Sequence, residues 1–484
     1  MIPPTFLLLP IFQRGIMQLC CVQTETKTDF FIVFIGITLR GVLWSSMVET
    51  VTKKTIRICL VFLLAVVPLI VNPTAMDYWY KPKIDSVYAL VLIIAGCFML
   101  QRAIAKTYPP LTIAPHTLPL ATFAVSALIS TILSVDFEKS LWGDQWREEG
   151  LWTLLSYVAL TVAFSSLPES RNQIIKLLQG LLATTTLIAC YGLMQYSGLN
   201  LTEHFLPQYR AAGIGSTIGN PNFLGKFFVL TLPLFLTYVC TAPSRRAAVG
   251  YAAGFLLSLC ALVLTFTRAS WIGCGIGMMV FSGVALRQQQ IRFKNALSFL
   301  VLTVLCTAVL LYVVCRTGSR TDNFFSELSE KMRSAVDLRT GSGSATRLFV
   351  WKETIAVILK RPVFGYGLDA QPNALRSFNL RYSHFFNDWV IIDRAHNNYL
   401  DLAVAQGLFG LAAYLWIVMV FVKFLINACR TAADVRDRFF YGGLLSGVCG
   451  YLVNDCFIFS TVSVSPTFWS LMGLSLAYHR LPRR

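Results

Sequence analysis

Runs of about 20 apolar residues, separated by short polar segments, repeat along most of the chain. A run of this length lets a helix cross the roughly 30 Å hydrocarbon layer of a bilayer. Lipid offers the backbone no hydrogen bonds, and the runs are too long and uniformly apolar for barrel strands. The pattern therefore predicts an all-α, polytopic membrane protein with about 12 transmembrane helices. The predicted spans are 56–72, 84–101, 117–135, 150–167, 174–197, 219–241, 247–266, 269–286, 295–315, 397–427, 439–459 and 463–480.

The composition agrees with a membrane protein. Hydrophobic residues make up 55% of the chain and charged residues 13%, about half the charged fraction of a soluble domain. The net charge of +17 would suggest a nucleic-acid partner in a soluble chain. Here we interpret it as charge that flanks the helices, with no nucleic-acid partner. The 13 cysteines are scattered without a CxxC pair, so neither a zinc site nor a disulfide framework is expected.

Lys and Arg are distributed unevenly between alternate loops. They concentrate around 53–57, 102–106, 245–246, 287–294 and 430–438, and the positive-inside rule places those loops in the cytoplasm. The long stretch 316–396 then lies outside, as one large periplasmic or extracellular loop. The predicted organisation is an N-terminal extension (1–55), transmembrane helices 1–9 (56–315), the large extracytoplasmic loop (316–396) and transmembrane helices 10–12 (397–484). The extension is interpreted as either a marginal helix or a start assigned upstream of Met47.

Two segments of the large loop have a recognisable pattern. In "TRLFVWKETIAVILKRP" apolar residues at helical spacing alternate with charge, which predicts an amphipathic helix on the outer membrane surface. It either covers a site or simply covers the surface. "VFGYGLDA" follows and is typical of a glycine-containing turn.

Several arginines lie on the charge-poor side, against the topology rule. Guanidinium binds phosphate bidentately and never loses its charge at neutral pH, so arginines that converge would suit a diphosphate carried by a lipid. Each arginine alone is equally typical of an interfacial side chain. These residues are Arg210, Arg268 in a tight turn, Arg347 in the amphipathic helix, and Arg394.

Polar residues also surround two predicted helix starts. His396 has an ordinary pKa near neutrality and could accept a proton. Asn397 and Asp401 share a helix face, and an acid within a span is a functional candidate, although Asp401 could also only pair with a neighbouring helix. Gly407 and Gly410 are expected to allow a second helix to approach closely. In "GNPNFLG", Asn220 and Pro221 predict a turn and a helix start, and Asn222 either caps that helix or binds sugar.

No phosphate-binding P-loop occurs, and no DxD-type acidic pair on the outer side would hold Mg²⁺ against a diphosphate. The sequence therefore favours a mechanism with no metal and no cofactor, in which arginine takes the place of the ion.

These residues resemble the O-antigen ligase family, which shares a domain with O-antigen polymerases and pilin oligosaccharyltransferases. "HNNYLDLAVAQGLFG" has the family's His-Asn, nine residues, Gly-x-x-Gly spacing, and "GNPNFLG", "TFTRASWIG" and "RPVFGYG" are similar to other recurrent family segments in the same order. The resemblance covers roughly residues 50–484.

The resemblance implies a fold like that of family C glycosyltransferases, in a bacterial plasma (inner) membrane with the site facing the periplasm. It implies transfer of a saccharide from an undecaprenyl-diphosphate carrier to an acceptor hydroxyl on a glycan, lipid or protein, with inversion at the anomeric carbon and no metal. The family's essential His corresponds to His396, and its diphosphate-binding arginines correspond to Arg268 and Arg347; Arg210 and Arg394 align by motif context alone.

Four interpretations of the function remain. Within the family the chain is a ligase, a polymerase, or a protein O-oligosaccharyltransferase, and the sequence does not decide among them. In another class it is a membrane transporter, since 12 helices suit one, although transporters often have inverted repeats and the polarity here gathers at the outer surface instead.

Overall fold

The computed structural model describes residues 27–75, 77–105, 115–199, 214–287, 344–375 and 393–482, together with positions 312 and 329. Within these ranges the chain is helical and contains no strand, which confirms the all-α prediction. The α-helices are α1 (Lys27–Val61), α2 (Lys81–Leu100), α3 (Thr117–Ile132), α4 (Phe137–Trp142), α5 (Leu151–Ser166), α6 (Arg171–Tyr196), α7 (Pro221–Thr241), α8 (Arg245–Leu264), α9 (Arg268–Arg287), α10 (Ser344–Lys360), α11 (Gln371–Ala374), α12 (Asn398–Thr431), α13 (Val435–Asp455) and α14 (Ser465–Arg480).

Six helices of the described residues are long and apolar enough to cross a membrane, which supports a multi-pass membrane protein. They are Lys81–Ile104, Arg171–Tyr196, Pro221–Thr241, Arg245–Leu264, Arg268–Arg287 and Asn398–Thr431. The number of about 12 spans and the large periplasmic loop stay predictions, and the predicted span 295–315 lies outside the described residues except for position 312.

The first predicted span, 56–72, begins inside α1, which runs unbroken from Lys27 to Val61. In its polar segment an i, i+4 ion pair, in which Lys53 Nζ lies 2.7 Å from Glu49 Oε1, supports the helix. The helix then continues as a π-helix (Phe62–Val66) and a 3₁₀ turn (Val67–Leu69).

The chain divides into two compact units. Met1–Thr55 and Gly96–Tyr108 form the first, in which Gln101 Nε2 donates a 2.7 Å hydrogen bond to Thr52 Oγ1. Ile56–Ala95 and Pro109–Arg484 form the second, which contains every residue of the site described below.

Helix α7 is the core of the second unit. Nearly all of its side chains are buried, and it packs against α8, α9 and α13. Helices α9 and α13 approach so closely that a Cβ atom on Gly273 would lie only 2.7 Å from the carbonyl oxygen of Gly450. Small residues at this interface let the two backbones come together, as expected for helices that pack in a membrane.

A buried ion pair connects α7 to α13. Lys226 and Asp455 are fully buried and form a direct ion pair. Asp455 Oδ2 also accepts hydrogen bonds from Asn398 Nδ2 (3.1 Å) and the Tyr414 hydroxyl (3.2 Å), both on α12. A buried charge is tolerated only with such partners, so this network fixes three helices relative to one another.

Helix α12 is broken at Gly407, whose backbone dihedrals are φ 69° and ψ −175°. The break leaves carbonyl groups in the preceding turn without helical partners. A turn from residues 362–367 supplies them: Tyr366 N donates to Val404 O (2.8 Å) and Gly367 N donates to Ala405 O (2.9 Å). On the other side of the break, Leu408 N donates to Pro362 O at 2.7 Å.

The prediction that Gly407 and Gly410 admit a second helix is wrong. At Gly407 the neighbour is the turn, since a Cβ there would lie 2.1 Å from Val363 O, and at Gly410 the space is taken by the Gln406 side chain of α12 itself. The prediction of a glycine-containing turn is confirmed, because Gly365 (φ 70°) and Gly367 (φ 109°) adopt left-handed backbone conformations.

The predicted helix in "TRLFVWKETIAVILKRP" is confirmed as α10. Val350, Thr354, Val357 and Ile358 form its buried face, and the three aliphatic residues pack in one cluster with Ala403 and Val404 of α12. Its position at the membrane surface stays a prediction.

We expect Gly407→Ala to lower the unfolding free energy by more than about 2 kcal/mol, because an L-residue is strained at this φ and the methyl group meets backbone atoms. Gly275→Ala in α9 is the control, since a Cβ there meets nothing within 4 Å. Thermal unfolding in detergent, followed by circular dichroism, compares the two. Equal midpoints for both variants would contradict the role of the break.

Candidate functional site

His396 lies directly before α12 in a left-handed conformation, with φ 52°. A non-glycine residue holds this conformation only when its neighbours impose it. On one side, Asp401 Oδ1 accepts from Ala395 N (2.8 Å) and Trp351 Nε1 donates to Ala395 O (2.9 Å). On the other side, Asn397 is the N-cap of α12. These contacts fix where the imidazole is presented.

Asn397 and Asp401 both have structural contacts in the folded chain. Asn397 Oδ1 accepts from Tyr399 N (3.0 Å) and Leu400 N (3.2 Å), as expected of an N-cap residue. Asp401 is buried and uses one carboxylate oxygen to hold the backbone of Ala395. Both residues therefore shape the loop that carries His396, and direct binding of substrate by either stays a prediction.

Phe459, in the loop between α13 and α14, lies next to three side chains of the candidate site. The His396 ring stacks on it with centroids 5.4 Å apart and an interplanar angle of 24°. The guanidinium carbons of Arg147 and Arg394 lie 4.7 Å and 5.8 Å from the same ring centroid. Buried Lys226 donates a 3.2 Å hydrogen bond to the Phe459 carbonyl, so the core network holds this ring in place.

Arg347 lies close enough to Arg268 and to His396 to interact electrostatically with both. Burial and the Arg268 charge lower the pKa of Arg347. Partial burial, followed by the Arg347 charge, lowers the pKa of His396 to about 4. His396 is exposed to solvent. Because its pKa lies below the ordinary value, the imidazole is neutral at pH 7 and can accept a proton.

Arg394 is engaged inside the protein. It is 4% exposed and forms an ion pair with Asp369. Although burial opposes the shift, the Asp369 carboxylate raises the pKa of Arg394 above its usual range. An arginine that is buried and ion-paired in this way can position neighbouring groups. The predicted contact of Arg394 with a diphosphate stays a prediction.

Asn220 and Asn222 lie at the start of α7. Asn220 is the N-cap, and its Oδ1 accepts from Asn222 N at 2.9 Å with Pro221 in the first turn. The prediction that Asn222 caps the helix is therefore wrong, because proline has no N–H and suits the first helical position, which places the cap one residue before it. A role for either residue in binding sugar stays a prediction. Arg210 lies outside the described residues.

The sequence reasoning missed the polar residues that neighbour the predicted ones. Arg147 donates from Nε (2.8 Å) and Nη2 (2.6 Å) to Asp393 Oδ2, and although burial opposes it, Arg147 lowers the pKa of Asp393. Burial raises the pKa of Glu149 to about 7, while Arg394 opposes that rise. The sequence signal that could have identified Arg147 and Glu149 is the cluster of charged residues in "WREEG", a short loop between two apolar runs.

Comparison with known proteins confirms the resemblance drawn from the sequence. Residues 253–415 match the family model described as O-Antigen ligase (Wzy_C). This region contains Arg268, Arg347 and His396, whereas Arg147 and Phe459 lie outside it.

Individual relatives are similar over parts of the chain. Two of them carry the name "Putative polysaccharide ligase". The one from Rickettsia conorii is 27% identical over 175 residues, and the one from Rickettsia prowazekii is 28% identical over 180 residues. Each match covers 36% of this chain and 39% of the relative, so it spans about two fifths of those proteins. An uncharacterized protein of Haemophilus influenzae is 21% identical over 285 residues, 57% of this chain and 66% of the relative.

We expect His396→Gly to unfold with a free energy about 1 kcal/mol higher than His396→Ala, because only glycine adopts the left-handed conformation without cost. Ala395→Gly is the control, since Ala395 has no positive φ and its methyl group is buried, and it should lower stability. Denaturant titration in detergent measures all three. An Ala variant at position 396 as stable as the Gly variant would show that the backbone there is unstrained.

We expect Arg347→Gln to raise the pKa of His396, because the substitution removes a neighbouring positive charge. Nitrogen NMR of the histidine rings, with His396→Gln for assignment, follows the titration. Arg361→Gln is the control, since Arg361 lies beyond the end of α10 with its guanidinium carbon 5.1 Å from the Tyr366 ring centroid. If Arg347→Gln and Arg361→Gln shift the His396 pKa equally, the proposed proximity is refuted.

Proposed function

From the O-antigen ligase domain that the chain carries at residues 253–415, we propose that this protein is a membrane glycosyltransferase. It transfers a saccharide from an undecaprenyl-diphosphate carrier to an acceptor hydroxyl on the outer face of the plasma membrane. The reaction inverts the anomeric carbon and needs no metal. The observation that carries the proposal is the electrostatic proximity of Arg347 to both Arg268 and the neutral His396.

The two arginines suit the donor. Arg268 begins α9, Arg347 lies in the first turn of α10, and their like charges disfavour each other. An anion between them relieves that repulsion, and a diphosphate offers oxygens that two guanidinium groups can bind bidentately. During transfer, negative charge grows on the departing diphosphate, so the arginines stabilise the transition state more than the ground state.

His396 suits the acceptor. As a neutral imidazole it accepts the proton of the acceptor hydroxyl while that oxygen attacks the anomeric carbon. The bond from the anomeric carbon to the diphosphate oxygen breaks, and the lipid diphosphate leaves with the bonding electron pair. Attack from the side opposite the leaving group gives the inverted product. Binding of the diphosphate beside Arg347 also weakens the charge that keeps the His396 pKa low, which improves this base as the donor binds.

The ligase reading is favoured over the other family activities by the names of the Rickettsia relatives. Repeated addition of units would instead identify a polymerase, and transfer to a polypeptide a protein O-oligosaccharyltransferase.

The test uses purified protein in liposomes with a synthetic undecaprenyl-diphosphate-linked glycan and a lipid-linked saccharide acceptor. Wild type should release lipid diphosphate together with glycan transfer in a single step, with the same rate in EDTA. A product ladder would identify a polymerase. Absence of transfer to any of the acceptor classes, with the protein folded, would refute the proposal.

We expect His396→Ala to abolish transfer, and Arg268→Lys and Arg347→Lys to lower kcat/KM about 10- to 100-fold, since a point charge does not replace a bidentate fork. Arg361→Lys is the matched control for Arg347→Lys and should keep the wild-type rate. Circular dichroism and gel filtration confirm folding of each variant. Full activity of His396→Ala would remove this residue from the mechanism.

A further inference from the structure

A cavity adjoins the site beside the arginines that lie near Phe459. Its volume is about 720 Å³, within the range of about 300–1,000 Å³ typical of ligand pockets. Arg147 and Arg394, whose guanidinium groups lie near the Phe459 ring, line it. Tyr80 also lines it, and a series of ring contacts connects Tyr80 with His396. The ring centroids of Tyr80 and Phe223 are 5.8 Å apart, those of Phe223 and Phe459 are 5.3 Å apart, and Phe459 contacts His396.

The charge of the lining excludes a diphosphate. Four carboxylates and two guanidinium groups face the cavity. Both guanidinium groups are already ion-paired, Arg147 with Asp393 and Arg394 with Asp369. Asp144 pairs in turn with Lys139, whose Nζ lies 3.2 Å from Asp144 Oδ2. The lining thus offers an anion no guanidinium group that is not already ion-paired, whereas the like charges of Arg268 and Arg347 attract one. The two regions beside His396 are therefore suited to different ligands.

The chemistry of the lining suits a saccharide. Trp146, Tyr78 and Tyr80 provide aromatic rings on which the C–H faces of a sugar ring can pack. Ionised carboxylates accept charge-assisted hydrogen bonds from sugar hydroxyl groups. The lining therefore matches a neutral or amine-bearing saccharide, because its aromatic rings can cover the apolar faces of the sugar and its carboxylates can bind the sugar hydroxyl groups.

The cavity is held in shape by buried polar contacts. On one wall, Asp77 Oδ1 accepts from Trp79 N (2.8 Å), and fully buried Lys83 donates to Trp79 O (2.9 Å) and Thr217 O (2.7 Å). On another wall, Asp369 Oδ2 accepts from Asp144 N (2.6 Å). Both walls are fixed before a ligand binds, which reduces the entropy lost on binding.

Resting on the function proposed above, we infer that this cavity binds the acceptor saccharide, neutral or amine-bearing, and delivers its hydroxyl to His396. The donor diphosphate occupies the cationic region of Arg268 and Arg347. Phe459, which contacts the ring of His396 and lies near the two cavity arginines, sets the distance between the two substrates.

A binding experiment tests this inference without the transfer reaction. Purified protein in detergent is titrated calorimetrically with chitotriose, with its fully deacetylated triamine and with trigalacturonate. The first two should bind, and trigalacturonate should bind at least about tenfold more weakly because its carboxylates face like charges. Equal affinity for trigalacturonate, or no binding of either of the others, would overturn the inference.

Variants identify the cavity as the place of binding. Trp146→Ala should weaken chitotriose binding and raise the acceptor KM about tenfold, with the donor KM unchanged, because it removes a stacking surface. Trp142→Ala is the matched control: Trp142 is 56% exposed, Trp146 is 54% exposed, and only Trp146 lines the cavity. Asp144→Asn should weaken binding of the triamine more than that of chitotriose.

The outcomes separate this inference from the proposed function. A rise of only the donor KM in Trp146→Ala, or equal effects of Trp142→Ala and Trp146→Ala, would overturn the acceptor assignment. Saccharide binding as expected in a protein that transfers nothing would leave the cavity assigned and refute the transferase. Transfer with unaltered kinetics in Trp146→Ala and Asp144→Asn would refute the assignment of the cavity to the acceptor and leave the proposed transferase function standing.

Discussion

Backbone groups that a broken helix leaves unpaired need partners within the protein, because lipid supplies none. In this chain the break at Gly407 imposes that requirement on α12, and the turn 362–367 meets it with hydrogen bonds to Val404 and Ala405. The turn directly follows α10, so docking it also brings α10 against α12. His396 precedes α12 and Arg347 lies in α10, and the arrangement of these two residues therefore depends on the break.

Buried polar groups repeat this logic around the site. Lys226 and Asp455 fix the helices and the Phe459 carbonyl, Asp401 holds the backbone before His396, and Asp369 holds Arg394. Buried ion pairs add little net stability, because desolvation offsets their attraction. Their consequence here is geometric: each orients one group of the site, and removing either partner would leave a charge buried.

Electrostatic division gives the site two regions. Arginines that repel one another disfavour the empty state and favour an anion, while the adjoining cavity combines ion-paired arginines with an excess of carboxylates. The imidazole of His396 is neutral, because partial burial and the neighbouring Arg347 charge keep its pKa low. A base that is neutral beside a cationic region is suited to take a proton where an anionic leaving group departs.

The sequence by itself determined the all-helical membrane class, the helix α10 and the glycine-containing turn, and it singled out Arg268, Arg347 and His396 as candidates. These follow from local signals: apolar length, helical spacing, and charge placed where lipid makes it costly. Only the tertiary structure decided that Gly407 breaks a helix, that Arg394 is paired with Asp369, and that Arg147 and Phe459 join the site. Those outcomes depend on contacts between residues tens to hundreds of positions apart, which periodicity and spacing do not encode.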